Sequence, residues 1–151
     1  TNRTGGVPVG PPKTIAYALT DSPAGLAAWI VEKFQTWSDH RGDFEGWLAL
    51  DSLLTNITLY WVTGAINSTF WPYYAIRHGP WPLPDGRIDV PMAYASFPRE
   101  TRHPPRHFAE PFFDVRRWTE MPRGGHFAAL EVPDLLADDI AAFFRPLRQG
   151  P

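Results

Sequence analysis

Cysteine is absent from the 151 residues, which excludes disulfide bonds, thiolate nucleophiles and zinc sites with cysteine ligands. This absence fits a reducing compartment, and since the N-terminus also lacks a signal-peptide pattern, we expect the cytoplasm. An excess of one charge is missing too: the net charge is -2 and the basic residues are scattered, so we expect no nucleic-acid partner. The longest apolar stretch, residues 53–66, falls short of the roughly 20 residues of a membrane span, so we expect no membrane partner.

Apolar residues are plentiful by comparison. They make up 44% of the chain against 20% charged residues, a balance typical of a globular protein with a packed core. Residues 1–12 are the exception, because they are rich in glycine and proline and are expected to be irregular. Ser22 followed by Pro23 is a helix start, and apolar residues then recur at helical spacing to about Asp39.

The middle of the sequence predicts a second helix and a connection. A polar loop is expected at residues 40–46, after which Asp51 is expected to cap a helix that ends near residues 64–67. Residues 72–91 hold five prolines, which predicts a helical turn around Tyr73 followed by a loop.

The last third predicts strands alternating with helices. Residues 90–97 and 115–121 are apolar runs typical of buried parallel strands, and Pro91 fits only the start of the first one. A final helix is expected over residues 133–145. Its apolar face is predicted to consist of Leu135, Leu136, Ile140 and Phe143. Its acidic residues are predicted to form a solvated face: Asp134, Asp138 and Asp139.

This order of elements is the tail of an α/β sheet. Two parallel strands buried under helices need further strands at their edges, so the chain is expected to be incomplete as a fold.

His126 is the strongest chemical feature, because it lies on a glycine-loosened turn directly after a predicted strand. Open α/β folds keep their sites at the carboxyl ends of strands. Glu100 follows the other predicted strand, so both side chains should project from the same edge, where the acid could orient the imidazole as a base. The alternative is a surface histidine in a loop.

Other candidates are weaker. His103 and His107 have the spacing of metal ligands on a helix, but Pro104 and Pro105 between them disfavour a helix, and we expect no metal site. Four aromatic residues could line an apolar pocket, although buried rings are more often plain core: Trp61, Phe70, Trp71 and Trp81.

Three segments resemble the microsomal-type epoxide hydrolases. Residues 19–34, L-T-D-S-P-A-G-L-A-A-W-I-V-E-K-F, resemble that family's A-L-x-D-S-P-x-G-L-A-A-x-I-x-E-K-F stretch. Residues 51–64 resemble its lid-to-core region, and residues 123–129 its histidine motif. The resemblance extends over roughly residues 10–148.

The resemblance implies the C-terminal part of an α/β-hydrolase that opens epoxides to diols through a covalent aspartyl ester, without a cofactor or a metal. It implies that His126 is the base, that Glu100 is its acid and that Tyr73 is a lid tyrosine donating to the epoxide oxygen. Tyr74 is adjacent and could be mistaken for Tyr73. The implied division is an irregular segment at 1–12, a helical lid region at 13–88 and the last part of the core at 89–151.

The sequence departs from the family pattern in lacking the nucleophilic aspartate, the oxyanion-hole motif and the second lid tyrosine. Asp21 and Asp51 are predicted helix caps and Asp89 follows no elbow motif, so none replaces the nucleophile. We therefore expect the isolated chain to be inactive on its epoxide substrate. Its partner would be a missing N-terminal half or further copies of itself. The alternatives are an α/β-hydrolase of another reaction, such as an esterase or dehalogenase, and a non-catalytic remnant or interaction module.

Overall fold

A computed structural model describes residues 13–78 and 86–148 of the chain. The described residues form two compact units. The first unit contains residues 13–33 and 49–78, and the second unit contains the remainder. Residues 1–12, for which an irregular structure was expected, lie outside the described residues. The predicted division at residues 12 and 88 stays a prediction.

The elements follow one another from helices to an alternation of strands and helices. In chain order they are α1 (Lys13–Asp21), α2 (Pro23–Trp37), α3 (Phe44–Trp47), α4 (Leu50–Thr63), a 3-10 helix (Ala65–Phe70), α5 (Trp71–His78), β1 (Ile88–Ser96), α6 (Arg106–Ala109), β2 (Phe113–Glu120), α7 (Ala128–Glu131) and α8 (Pro133–Arg148). No helix within the described residues is both long enough and apolar enough to cross a membrane.

The predicted start of α2 is confirmed at Ser22. The Gly25 amide donates to the Ser22 hydroxyl at 3.0 Å, so the side chain satisfies a free N–H of the first turn. The predicted end of α4 is confirmed at Gly64, whose φ of 62° forms a left-handed cap. The helices of the first unit contain these buried apolar residues: Ala16, Leu19, Leu26, Ile30, Leu53, Ile57, Ile66 and Phe70.

Three local expectations in this part of the chain are wrong. Asp51 does not cap α4, because the helix begins at Leu50 and places Asp51 inside the first turn, where its charge favours the helix dipole. Asp21 is the last residue of α1, a helix that the sequence did not predict. The polar loop at 40–46 is interrupted by α3, which begins at Phe44 after Asp43 accepts a hydrogen bond from the Gly46 amide.

The aromatic residues considered for a pocket differ in how deeply they are buried. Phe70 is buried in the first unit, whereas Trp61 is 39% and Trp71 51% exposed. Trp81 lies outside the described residues.

In the second unit, β1 and β2 pair in parallel, as predicted. The register is irregular between Ile88 and Pro91 and again between Met92 and Ala93. Pro91 therefore lies inside β1 and not at its start. A proline is tolerated there because the break in register removes the need for a paired N–H.

Helix α8 packs beside the strands through a small apolar cluster. Its members are Phe97, Met121, Ala128 and Val132, with Ala95, Leu135 and Leu136 against them. The expected apolar face is wrong at Ile140, which is 48% exposed. The expected solvated face is wrong at Asp139, which is only 7% exposed because its carboxylate accepts hydrogen bonds from Arg117 and Thr119 of β2.

Candidate active site

Two loops leave the same end of the parallel strand pair. Ser96, the last residue of β1, is in register with Glu120, the last residue of β2. The Met121 amide then donates to the Ser96 carbonyl oxygen at 2.8 Å, which continues the pairing past the strands. Glu100 and His126 lie on the two loops that follow, at the carboxyl edge where α/β folds keep their sites.

The Glu100 loop is a tight turn joined to its neighbour by the backbone. The Glu100 amide donates to the Phe97 carbonyl oxygen at 3.1 Å, which closes the turn. The Arg99 amide donates to the Gly124 carbonyl oxygen at 3.0 Å, so the two loops share a hydrogen bond. The spacing between the loops is thereby set by the main chain as well as by side chains.

Two glycines allow the His126 turn to pack closely. Gly124 has a φ of 108°, and a Cβ there would lie 2.8 Å from side-chain atoms of both Phe97 and Val132. A Cβ at Gly125 would lie 2.6 Å from the Trp37 carbonyl oxygen. Because L side chains rarely adopt such a φ and real Cβ contacts are not that short, glycine is required at both positions.

The turn brings the His126 imidazole onto the Glu100 carboxylate. Nδ1 of His126 lies 2.9 Å from Oε1 and 3.1 Å from Oε2 of Glu100. A carboxylate can only accept, so Nδ1 is the donor in this contact, and in a neutral imidazole Nε2 would then have the lone pair. The His126 side chain is 41% exposed, which leaves the ring accessible to water.

Glu100 is suited to remain charged beside the imidazole. Burial raises the pKa of Glu100, but hydrogen bonds from His126 and from Thr101 outweigh burial and hold that pKa below its ordinary value of 4.5. The Thr101 amide donates to Oε1 at 2.6 Å and its hydroxyl donates to the same atom at 3.0 Å. The arrangement can orient a histidine base and stabilise the imidazolium that forms when this base takes a proton.

Aromatic rings bound the imidazole. The Trp37 ring lies 5.1 Å from it in an edge-on arrangement, and the Phe127 ring is also edge-on to it at 5.1 Å. Phe127 is itself stacked on Phe34 at 4.1 Å. The ring of His126 therefore lies against two aromatic rings.

Comparison with known proteins finds epoxide hydrolases. A "Putative epoxide hydrolase" of Stigmatella aurantiaca (strain DW4/3-1) is 44% identical over 138 residues, which cover 91% of this chain and 31% of that protein. Epoxide hydrolase 1 of Oryctolagus cuniculus is 41% identical over 143 residues, which cover 87% of this chain and 31% of that protein. The crystal structure of juvenile hormone epoxide hydrolase from the silkworm Bombyx mori aligns with a TM-score of 0.83 at 29% identity, over 93% of this chain and 36% of that one. No family model matches the chain.

The chain belongs to the epoxide hydrolase family. It spans about a third of the length of the curated relatives it matches, in their C-terminal part. The predicted fold class is confirmed: the chain has the fold of the C-terminal part of an α/β-hydrolase. The absence of a nucleophilic aspartate from its sequence fits this partial coverage of the epoxide hydrolases.

The lid tyrosine that the epoxide hydrolase resemblance implies, Tyr73, lies on α5 in the first unit. Its side chain is 45% exposed. The neighbouring Tyr74 is stacked on His78 with ring centroids 3.9 Å apart. This ring contact distinguishes the two tyrosines, and the role of Tyr73 stays a prediction.

Two carboxylates beside His126 were missed by the sequence reasoning. Asp39 and Glu131 both accept hydrogen bonds from the main chain of the turn that carries His126. Asp39 was treated as the end of a helix, and Glu131 was not singled out. Glu131 is the last residue of α7, five residues after His126, but no feature of the sequence indicated that it binds main-chain amides.

Proposed function

We propose that this chain carries the hydrolytic half of an epoxide hydrolase site, with His126 as the base and Glu100 as its orienting acid. The observation that supports this proposal is the bond from Nδ1 of His126 to the Glu100 carboxylate, in a chain 44% identical to a member of the family. The roles themselves are inferred from chemistry, since an imidazole with a protonated Nδ1 offers Nε2 to a water molecule.

The proposed reaction has two steps. An aspartate carboxylate oxygen attacks one epoxide carbon, the carbon–oxygen bond of the ring breaks, and the Tyr73 hydroxyl donates to the oxygen as it becomes an alkoxide. Nε2 of His126 then takes a proton from water while the water oxygen attacks the ester carbonyl, and the acyl carbon–oxygen bond of the ester breaks. The two alkoxide oxygens of the product receive the proton held by His126 and the proton of the new carboxylic acid, so the diol leaves with the imidazole and the aspartate restored. The sum is one epoxide and one water converted to one diol.

The aspartate has to come from outside these 151 residues. We propose that an N-terminal half, covalently joined or separate, supplies it, and that a homo-oligomer is the alternative partner. The substrate is a small-molecule epoxide. We propose neither a nucleic acid nor a membrane as a partner.

A graft tests the assignment. This chain replaces the matching C-terminal third of the Stigmatella aurantiaca relative, and the protein is incubated with styrene oxide. In the His126→Gln variant we expect a covalent adduct of the nucleophilic aspartate to accumulate, detected by mass spectrometry, because alkylation proceeds and hydrolysis stops. His103→Gln is the matched control and should turn over without an adduct. A His126→Gln protein that forms no adduct, with the parent graft active, would contradict the role of His126.

Tyr73 is tested by the rate of adduct formation. Tyr73→Phe should slow that step by an amount corresponding to about 2 to 4 kcal/mol, the value of a donor to a developing oxyanion. Tyr74→Phe is the control and should leave the rate unchanged. An esterase or dehalogenase has no leaving epoxide oxygen, so a graft that hydrolyses esters with equal rates in both variants would favour another reaction.

We also propose a cytoplasmic location and a role in detoxification. The support for the location is the lack of cysteine in the sequence, which fits a reducing compartment. The support for detoxification is chemical: epoxides alkylate nucleophiles, and the diol does not. Together with the aspartate, Glu100 and His126 would form a catalytic triad.

A further inference from the structure

The turn that carries His126 is held by hydrogen bonds to groups outside it. The Gly124 amide donates to the Asp39 carboxylate at 3.0 Å, and the Phe127 amide donates to Oε1 of Glu131 at 2.8 Å. Between them, the His126 amide donates to the Trp37 carbonyl oxygen at 3.0 Å. Three of the four amides from Gly124 to Phe127 therefore have acceptors whose positions depend on α2 or α7.

Glu131 is also linked to Asp39, through the main chain of Asp39. Oε2 of Glu131 accepts a hydrogen bond from the Asp39 amide at 2.7 Å, while its Oε1 accepts from Phe127. Glu131 thus uses both oxygens as acceptors, one toward the turn and one toward the segment after α2. We call Asp39 and Glu131 the carboxylate clamp.

The clamp acts on the residues either side of the imidazole. It fixes the main chain two residues before His126 and one residue after it. The position of the His126 Cβ is determined by that main chain. Neither carboxylate is hydrogen-bonded to the imidazole itself, which is held by Glu100. A shift of the turn would move Nδ1 away from a carboxylate that belongs to a different loop.

We propose that Asp39 and Glu131 are positioning residues that act through His126. The clamp keeps the turn at the distance from Glu100 that leaves the proton on Nδ1 and the lone pair on Nε2. The catalytic consequence rests on the proposed function, whereas the effect on the imidazole does not.

The two members of the clamp respond differently to amide substitution. A glutamine at 131 has one acceptor oxygen where Glu131 uses two, so its amino group must face the N–H of either Asp39 or Phe127. An asparagine at 39 keeps an oxygen for the Gly124 amide. Glu131→Gln should therefore loosen the turn, Asp39→Asn should preserve it, and Asp39→Ala should loosen it.

The first test determines the tautomer of the His126 imidazole by NMR, in the full 151-residue chain with ¹⁵N-labelled histidine. The ring nitrogen shifts of His126, assigned by their loss in His126→Gln, report which nitrogen carries the proton. We expect Nδ1–H in the parent and in Asp39→Asn, and a mixture of tautomers in Glu131→Gln and Asp39→Ala. Glu110→Gln, which changes an exposed carboxylate paired with Arg106, is the neutral control.

Asp139→Asn is the control that distinguishes an effect on the position of His126 from a general loss of stability. It weakens a buried contact between α8 and β2 and should lower the unfolding midpoint without changing the His126 tautomer. Unchanged Nδ1–H signals in both Glu131→Gln and Asp39→Ala would overturn the proposal. So would the same tautomer mixture in Asp139→Asn, because the effect would then follow stability alone.

The second test uses the graft and remains informative when a variant of the isolated chain does not fold. Hydrolysis of the aspartyl adduct should slow at least tenfold in Glu131→Gln, since a misplacement of about 1 Å can cost about a hundredfold, while adduct formation keeps its rate. Equal slowing of both steps would overturn the positioning role. A His126→Gln graft that forms no adduct while the parent graft is active would count against the proposed function, and the tautomer measurement would still decide the clamp.

Discussion

Replacing Asp139 by alanine should destabilise the chain more than replacing its exposed neighbour Asp138. Both aspartates lie on α8, where the sequence predicted a solvated acidic face. The Asp139 carboxylate is 7% exposed, and its Oδ1 lies 2.7 Å from Nε and 2.6 Å from Nη2 of Arg117. The Thr119 hydroxyl donates to the same oxygen at 2.7 Å. Alanine at 139 would leave these donors without their acceptor.

The size of the destabilisation depends on the groups that alanine at 139 leaves without a partner. Removing one partner of a buried ion pair costs about 3 to 5 kcal/mol, because the other charge stays buried without compensation. Arg117 is 37% exposed and can turn partly into water, which reduces the penalty. Hydrogen bonds to charged groups contribute about 1.5 to 3 kcal/mol. We therefore expect a loss of about 2 to 3 kcal/mol in the free energy of unfolding.

Urea unfolding followed by circular dichroism measures this loss, in the chain and in the graft. Asp138→Ala is the matched control: it removes an exposed carboxylate from the same helix and should change the free energy by less than about 0.5 kcal/mol. The double variant with Arg117→Ala should recover part of the loss, since the uncompensated guanidinium is gone. Equal effects of Asp138→Ala and Asp139→Ala would refute the reasoning.

Three further predictions concern pH, activity and association. The pKa of Glu100 in the folded chain lies below its ordinary value of 4.5. The stability that the charged carboxylate contributes is therefore present above pH 4.5 and is lost as the pH falls through the folded pKa. In Glu100→Gln, the free energy of unfolding should depend less on pH in this acidic range. The isolated 151-residue chain should show no turnover of styrene oxide in a diol assay, and turnover abolished by His126→Ala would place a nucleophile within it. The chain should also self-associate in sedimentation velocity, because strand residues such as Val90, 67% exposed, lie on a two-stranded sheet of the described residues; a monodisperse monomer would contradict this.

The parts of the fold predicted from the sequence are those with local signals. Ser22 before Pro23 marks the start of α2, and Gly64 marks the end of α4, because each supplies a cap within a few residues. Asp139 was misassigned since its partners lie in β2, about twenty residues earlier, and a polar residue on an amphipathic helix does not reveal such a pairing. Pro91 was misplaced because a break in register depends on the neighbouring strand.

In the candidate site, too, some residues could be predicted from the sequence and others could not. Glu100 and His126 could be brought together from the sequence because parallel strands end at one edge, whatever the detailed packing. The clamp could not, because Asp39 and Glu131 bind main-chain amides, and any residue type supplies an amide. Residues that hold a loop by its backbone have no characteristic partner in the sequence.

The described contacts of His126 and its turn all lie in the second unit: Glu100, the turn glycines, the clamp and the shared bond between the two loops. The candidate epoxide contacts on α5 and the exposed tryptophans lie in the first. Under the proposed function, the residues that contact the epoxide and the residues that position the proton acceptor would thus be encoded in separate stretches of chain. A library that randomises the first unit alone could alter which epoxides are accepted while each member inherits the same proton acceptor.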